Sequence, residues 1–326
     1  MSIGSIVSKV VPLDCGVPQG SVLGPVLFSL YTTPLEDIIL RHGLNYMLYA
    51  DDTQLHITCK KGTTPTNEIE ACICDIRQWM RNNMLALNDG KTEIIHFSSK
   101  FSASSTSPCN VQIGGVDITP SGTARNLGVT FDDSCAMSTH VTNICRSASF
   151  AIWKIAKIRN ILNENSVIKL IHAFVTSRLD YCNSLLFGLT LHQIRKLQLL
   201  QNSAARLITR TKKRDHITPI LRELHWLPIQ LRIEFKINCF TFKIIHGMAP
   251  NYLAELLTIR SSGRTLRSNV RNLHQPIGNT KFYGDRAFHI CAPRLWNALP
   301  PSIRVLDNFQ TFKTHLKAFL FAGFFN

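Results

Sequence analysis

Two aspartates, Asp51 and Asp52, stand side by side in the run LNYMLYADDTQLHITC, and no other feature limits the fold so closely. The residues before them, Asn45-Tyr46-Met47-Leu48-Tyr49, are apolar on both faces of an extended chain and predict a strand covered on both sides. After them Thr53, Leu55 and Ile57 alternate with Gln54, His56 and Thr58, the period-two pattern of a strand with one wet face. Strands meeting at Ala50-Asp51-Asp52 leave room only for a tight reversal, so the carboxylates belong at a hairpin tip. Adjacent carboxylates repel, and without a counter-charge one of them is pushed toward its protonated form. The tetrapeptide by itself fits either an acidic turn held in water or a cation site.

The flanks supply the context. Residues 3–11 alternate weakly and predict a strand leading into Gly16-Val17-Pro18-Gln19-Gly20, a turn rich in glycine and proline. Ser21 has the chemistry of a helix N-cap, and Pro25 falls in the first turn, where a missing amide donor costs little. That helix runs through LFSLY, and Thr33-Pro34 restarts it for LEDIILR. Ile69, Cys72, Ile73, Ile76, Trp79 and Met80 recur at helical spacing, which puts Arg77 and Arg81 on another face. Asn88-Asp89-Gly90 predicts a turn, KTEIIHFSS a strand, and FSASSTSPCN a loop. VQIGGVDIT predicts a hairpin about Gly114-Gly115, and LGVTFD a further short strand. From Ser138 the pattern turns helical, and the C-terminal stretch mixes short helices and basic loops with aromatic anchors in HWLPI, FYGDRAF and APRLWNALP. Strands with helices against one side, followed by helices, predict the α+β class.

Charge is distributed unevenly. Residues 1–130 carry 9 Lys and Arg against 11 Asp and Glu, whereas residues 131–326 carry 27 against 10. A positive excess confined to the second part suits a polyanionic partner, whose counterions are released on binding; a basic surface that serves solubility alone is the competing reading. The ten cysteines contain no C-x-x-C pair, and Cys145, Cys182 and Cys239 fall in helix-like apolar patterns. They read as reduced thiols acting as small hydrophobes, with no zinc finger or knuckle. No signal peptide or membrane span is expected, since the longest apolar run is broken by Gly24, Pro25 and Pro34. That places the chain inside the cell, in nucleus or cytoplasm.

The blocks GVPQGSVLGPVLF, YADD, WMRNNMLALNDGKTE and LGVTFD, in that order, resemble the palm motifs lettered B, C, D and E of a reverse transcriptase. The likeness is to the type encoded by non-LTR (LINE-type) retrotransposons. LHWLPI, FKIIHGMAPNYL, YGDRAF and APRLWNALP are similar to segments C-terminal to the palm in those elements, so the resemblance covers nearly the whole chain. It implies an incomplete reverse-transcriptase palm over residues 1–133, an antiparallel sheet with helices on one face. A mostly helical thumb over 134–215 and a basic C-terminal region of unassigned role over 216–326 would come after it.

The implied chemistry is RNA-directed DNA synthesis: nucleotidyl transfer from a deoxynucleoside triphosphate to a DNA primer 3′ end on an RNA template. Two Mg²⁺ ions would assist it, and Mg²⁺ prefers oxygen ligands such as adjacent carboxylates. By the resemblance Asp51 and Asp52 are catalytic and hold the metal, and Lys91 protonates or steadies the departing pyrophosphate. A solvated lysine after a turn is the alternative for Lys91. Gly16, Pro18, Gln19 and Gly20 would line the nucleotide and template pocket; a plain strand–helix turn explains the glycines but not a polar Gln19. Leu127 and Gly128 match the primer grip, with a plain core strand as competitor. Arg195, Lys196, Arg206, Arg210, Lys212, Lys213 and Arg214 would hold the nucleic-acid backbone without reading sequence; Lys212-Lys213-Arg214 also fits a nuclear-localisation patch or a solvated helix end.

One part of the family pattern is missing. Motif A, the strand that supplies a further metal-binding aspartate, belongs upstream of the GVPQG turn, where the sole acid is Asp14. Fingers and motif A are therefore expected to be absent, as in an N-terminally truncated copy. The chain is then a polymerase by descent that does not polymerise alone, or a non-catalytic nucleic-acid-binding remnant.

Overall fold

A computed structural model describes residues 2–3, 6–7, 16–17, 20–60, 65–98, 110–260, 271–278, 280 and 283–325. The chain divides into two compact units, Met1–Gly122 and Thr123–Asn326.

The first unit is built from short pieces. The strands β1 (Ser2–Ile3) and β2 (Ile6–Val7) pair antiparallel. The helix α1 (Gly24–Thr32) starts two residues later than a Ser21 cap predicts, but the Ser21 hydroxyl still accepts the Gly24 N–H at 3.1 Å. Pro34 then precedes α2 (Leu35–Arg41). The strands β3 (Asn45–Tyr49) and β4 (Asp52–His56) form a hairpin in register Tyr46↔Leu55 and Tyr49↔Asp52. The amphipathic helix α3 (Thr66–Asn82) comes next, and then the hairpin β5 (Val111–Ile113) and β6 (Val116–Ile118) about Gly114-Gly115. Leu35, Ile38, Ile39 and Leu44 bury against Cys72 and Ile76 of α3, with Tyr46, Leu55 and Trp79 partly covered around them. This small core grips one face of the β3–β4 hairpin and leaves its tip outside.

Three expectations fail in this unit. Residues 3–11 do not make one strand, because Ile6–Val7 turns back to pair with Ser2–Ile3. KTEIIHFSS forms no strand over its described residues 91–98; Lys91 belongs to a 3-10 turn, the Ile94 carbonyl accepts the Ser121 N–H at 2.8 Å, and no β-ladder among the described residues includes the segment. Nor is β3 covered on both sides: Met47 is 45% and Tyr49 64% exposed. The sheets among the described residues are separate antiparallel pairs, not one continuous sheet backed by helices, so each hairpin has only as much cover as its neighbours supply. The class is nonetheless mixed, helices with small antiparallel sheets, as α+β requires. The loop predicted at FSASSTSPCN lies outside the described residues, except Asn110.

The second unit opens on the hairpin β7 (Thr123–Asn126) and β8 (Val129–Asp132); its described residues after that are mainly helical, with one isolated β-bridge between Ile259 and Leu273. Its helices are α4 (Ser138–Ile158), α5 (Glu164–Ile171), α6 (Ser177–Asp180), α7 (Leu191–Thr209), α8 (Ile217–Glu223), α9 (Ile229–Ile245), α10 (Asn251–Ala254), α11 (Phe288–Asn297), α12 (Pro301–Arg304) and α13 (Phe309–Phe325). One core cluster draws on residues from Val129 to Ala292, and so joins the helices before Thr209 to those after it. A second gathers Phe242, Trp296, Phe312, Leu316 and Leu320, with the Phe242 and Phe312 rings stacked at 4.4 Å.

The C-terminal aromatic motifs act here as staples. Arg286 of YGDRAF donates to the carbonyls of Phe187 at 3.0 Å, Cys135 at 2.7 Å and Leu185 at 3.3 Å. Trp296 of APRLWNALP is fully buried and gives its Nε1–H to the Arg271 carbonyl at 2.8 Å. Gln201 of α7 reaches the Leu227 carbonyl of LHWLPI at 2.9 Å. Each bond satisfies a loop carbonyl that the helices leave orphaned.

Candidate functional site

The aspartate tip is a two-residue loop, Ala50-Asp51, between the paired Tyr49 and Asp52. Ala50 adopts φ +52°, a left-handed setting that hairpin loops usually fill with glycine or asparagine. Residues directly opposite in an antiparallel pair share a face, so Asp52 stands with Tyr49, Met47 and Gln54 on the exposed side of the hairpin. Asp51 and Asp52 are both exposed. Among the described residues neither carboxylate has a hydrogen-bond or ion-pair partner, and no group of three or more His, Cys, Asp or Glu side chains is placed to hold a metal. The donor set fits Mg²⁺ in kind, being two anionic oxygen groups open to water, and supplies only part of a cage.

Lys91 ends the 3-10 turn Asp89–Lys91 and is exposed. The turn is anchored by a residue that sequence reasoning placed only on a helix face: Arg77 of α3 donates to Asp89 through Nη1 at 3.0 Å and Nη2 at 2.6 Å. The same guanidinium lies against Gly114, where an added Cβ would come within 2.6 Å of it. Glu70, two turns earlier on α3, accepts the Gln112 N–H at 2.6 Å. One helix therefore fixes both the Lys91 turn and the β5–β6 hairpin. No hydrogen bond or ion pair among the described residues ties Lys91 to Asp51 or Asp52.

Gly16 and Gly20 lie at φ +80° and +89°, and both are exposed. An added Cβ would meet nothing within 4 Å at either, so backbone conformation rather than crowding calls for glycine. Pro18 and Gln19 lie outside the described residues.

Leu127 and Gly128 form the loop between β7 and β8, with φ +45° and +81°. Positive φ at both central residues is the type I′ hairpin. Tyr181, after α6, donates its hydroxyl to the Leu127 carbonyl at 2.6 Å, and its ring lies 3.5 Å from where a Gly128 Cβ would stand. Asp132, buried at the end of β8, accepts the N–H groups of Ala136 at 2.5 Å and Ser138 at 2.9 Å, and so fixes the start of α4. Neither role leaves a local pattern; the partners lie in other elements or in a loop.

The seven basic residues separate into two groups. Arg195 and Lys196 are exposed in the first turns of α7. Arg210, Lys212, Lys213 and Arg214 are exposed past its end, about 20 Å further on at the rise of a helix. Arg206 differs: it is half-buried, and its Nη2 donates to the Asp215 carbonyl at 3.1 Å, while the Asp215 carboxylate accepts the Lys212 N–H at 3.0 Å. Arg206 thus braces the basic loop from below.

Likeness to known proteins points toward polymerases. Residues 4–131 match the family described as reverse transcriptase (RNA-dependent DNA polymerase). The RNA-directed DNA polymerase from mobile element jockey of Drosophila melanogaster is 26% identical over 220 residues, 64% of this chain and 23% of that protein. From the same organism, the probable RNA-directed DNA polymerase from transposon X-element is 29% identical over 202 residues, 60% of this chain and 22% of that protein. The corresponding protein from transposon BS is 26% identical over 237 residues, 68% and 25% respectively. The chain spans about a quarter of the length of these relatives. No solved structure matches at a significant level.

Proposed function

From the premise that residues 4–131 are a reverse-transcriptase segment, similar to the RNA-directed DNA polymerases of mobile elements, we propose that the chain holds an RNA template and a DNA primer. It would also contribute the Asp51–Asp52 half of a magnesium site for nucleotidyl transfer from a deoxynucleoside triphosphate. The observation that carries this reading is the hairpin tip itself, where two carboxylates without a partner among the described residues stand clear of a core that grips the other end of the hairpin. When bound there, magnesium would neutralise charge developing on the attacking and leaving oxygens. Residues 1–133 would serve as the palm part and the helices of residues 134–215 as the thumb. Asp51 and Asp52 would hold that metal through their carboxylate oxygens, and Lys91, on its Arg77-anchored turn, would offer a proton to the departing pyrophosphate. The Leu127-Gly128 loop, tied down by Tyr181, would steady the primer end, while Gly16, Pro18, Gln19 and Gly20 would line the nucleotide pocket.

A second reading is favoured by the count of donors. With no third acid grouped at the tip among the described residues, the chain would grip nucleic acid without synthesis when it acts alone. Primer extension with Mg²⁺ decides between them. The expected result is retention of the primer–template with no incorporation; incorporation abolished by Asp51→Ala would assign full polymerase activity to this chain.

A further inference from the structure

The helix α4 carries a feature that nucleotidyl transfer at the aspartate tip does not use. Arg146, Phe150, Trp153 and Lys157 recur at three- and four-residue spacing along one exposed face, with Lys154 beside them. Phe150 is 55% and Trp153 52% exposed. Their rings lie nearly parallel, with planes 16° apart and centres 5.8 Å apart. The Lys154 ammonium stands 4.6 Å from the centre of the Phe150 ring, and the Lys157 ammonium 3.7 Å from that of Trp153. The opposite face of the helix is occupied by the core through Val141, Ile144, Ala148 and Ile155. No acidic residue occurs anywhere on α4. On the adjacent α7, the Lys196 charge works against the rise that burial imposes on the Cys145 thiol.

We propose that this stripe is a stacking platform for unpaired, single-stranded RNA. A nucleotide presents an aromatic face and an anionic phosphate about one side-chain length apart, and each ring–lysine pair offers the complement of both. A base replaces the ammonium against the ring, and the displaced ammonium meets the phosphate. An apolar protein surface would cover the rings but strand Arg146, Lys154 and Lys157 without an anion. A duplex would meet the cations but keep its base faces inside its own stack. The stacking rests on α4 alone; the choice of RNA over DNA rests on the proposed RNA-templated reading.

The test uses the full chain with a single-stranded RNA of about 12 nucleotides, the DNA of the same sequence and the duplex RNA, monitored by anisotropy and tryptophan fluorescence across a salt series. Trp226 and Trp296 are buried and Trp79 is half-buried in the core of the first unit, which leaves Trp153 the most exposed of the four, so most of the fluorescence change on adding RNA should be lost in Trp153→Phe. Phe150→Ala with Trp153→Ala should weaken single-strand binding about 100-fold, roughly tenfold per ring, at an unchanged salt slope. Lys154→Gln with Lys157→Gln should instead lower that slope by about 1.4. Both rings are exposed, so an unchanged thermal midpoint verifies that the variants fold. Single-strand binding by the double-ring variant within about twofold of the unmodified chain, or duplex binding weakened by that change as much as single-strand binding, would overturn the platform while leaving nucleic-acid binding standing; DNA bound more tightly than RNA would overturn the choice of RNA. Failure of the unmodified chain to bind any of the three would overturn both.

Discussion

The hairpin Asn45–His56 and the helices after Thr123 are held by different means. The hairpin rests on a few apolar side chains from α2 and α3 against one face, and its other face meets water. The nearby α1 is more exposed still: Val22 and Leu23 just before it, and Val26, Leu27 and Leu30 along it, lie open, and only Thr32 of the helix is buried. The second unit instead encloses whole aromatic rings and ties its loops to distant helices through Arg159, Arg286 and Trp296. Arg159, for example, donates to the Leu207 and Ile208 carbonyls at 2.9 and 2.8 Å and so closes the end of α7. A thin scaffold presents the carboxylates, and a dense one presents the cations. Substitutions in the two should therefore differ in kind as well as in size.

The largest effect is expected at Trp296. Trp296→Ala empties a fully buried site and orphans the Arg271 carbonyl, at a cost of about 3–5 kcal/mol; denaturant unfolding should show the helical signal melting earlier. Arg77→Ala comes next, removing the bidentate pair to Asp89, whose carboxylate is over a third exposed, for a loss of about 1 kcal/mol. Backbone hydrogen exchange should quicken at Asp89–Lys91, while α7 keeps its protection. Tyr181→Phe deletes one hydroxyl bond to Leu127 and should cost about 1 kcal/mol or less, read as faster exchange in the β7–β8 hairpin.

Acid sets a subtler difference. His140 of α4 is buried, which lowers its pKa below the ordinary 6.5, and its Nδ1 faces the Thr130 N–H at 3.4 Å. A histidine kept neutral by folding takes up a proton more readily when unfolded, so its contribution is complete above pH 6.5 and is lost as the pH falls from there toward the folded value. The thermal midpoint of the helical unit should drop on acidification through that window, and His140→Gln should flatten the drop. A profile identical in the variant would contradict this.

Much of the first unit was legible because its signals are local. An apolar run before two acids located β3 and period-two alternation after them located β4, and Gly114-Gly115 located the β5–β6 reversal. The strand partner of LGVTFD was not legible: Thr123–Asn126 reads TARN, without apolar alternation, and pairs because a type I′ loop brings it opposite Val129–Asp132. KTEIIHFSS failed for the converse reason, since a strand-like pattern forms no strand without a partner. The C-terminal motifs were recognisable as words without chemistry. Arg286 finds its acceptors at residues 135, 185 and 187, separations no periodicity records. Of the three thiols placed in helix-like patterns, Cys239 is buried in α9 and pushed up to about 11, Cys145 is half-buried on α4, and Cys182 falls between helices at φ +50°.

The division between carboxylate tip and cationic surface is tested most directly by the salt dependence of primer–template binding. The full chain would be compared with Asp51→Asn/Asp52→Asn and with Lys212→Gln/Lys213→Gln/Arg214→Gln. The aspartate variant should bind as tightly as the unmodified chain or tighter. The basic-loop variant should bind more weakly, with a log–log salt slope lower by about 2 to 3. Binding lost in the aspartate variant and kept, with an unchanged slope, in the basic-loop variant would contradict it.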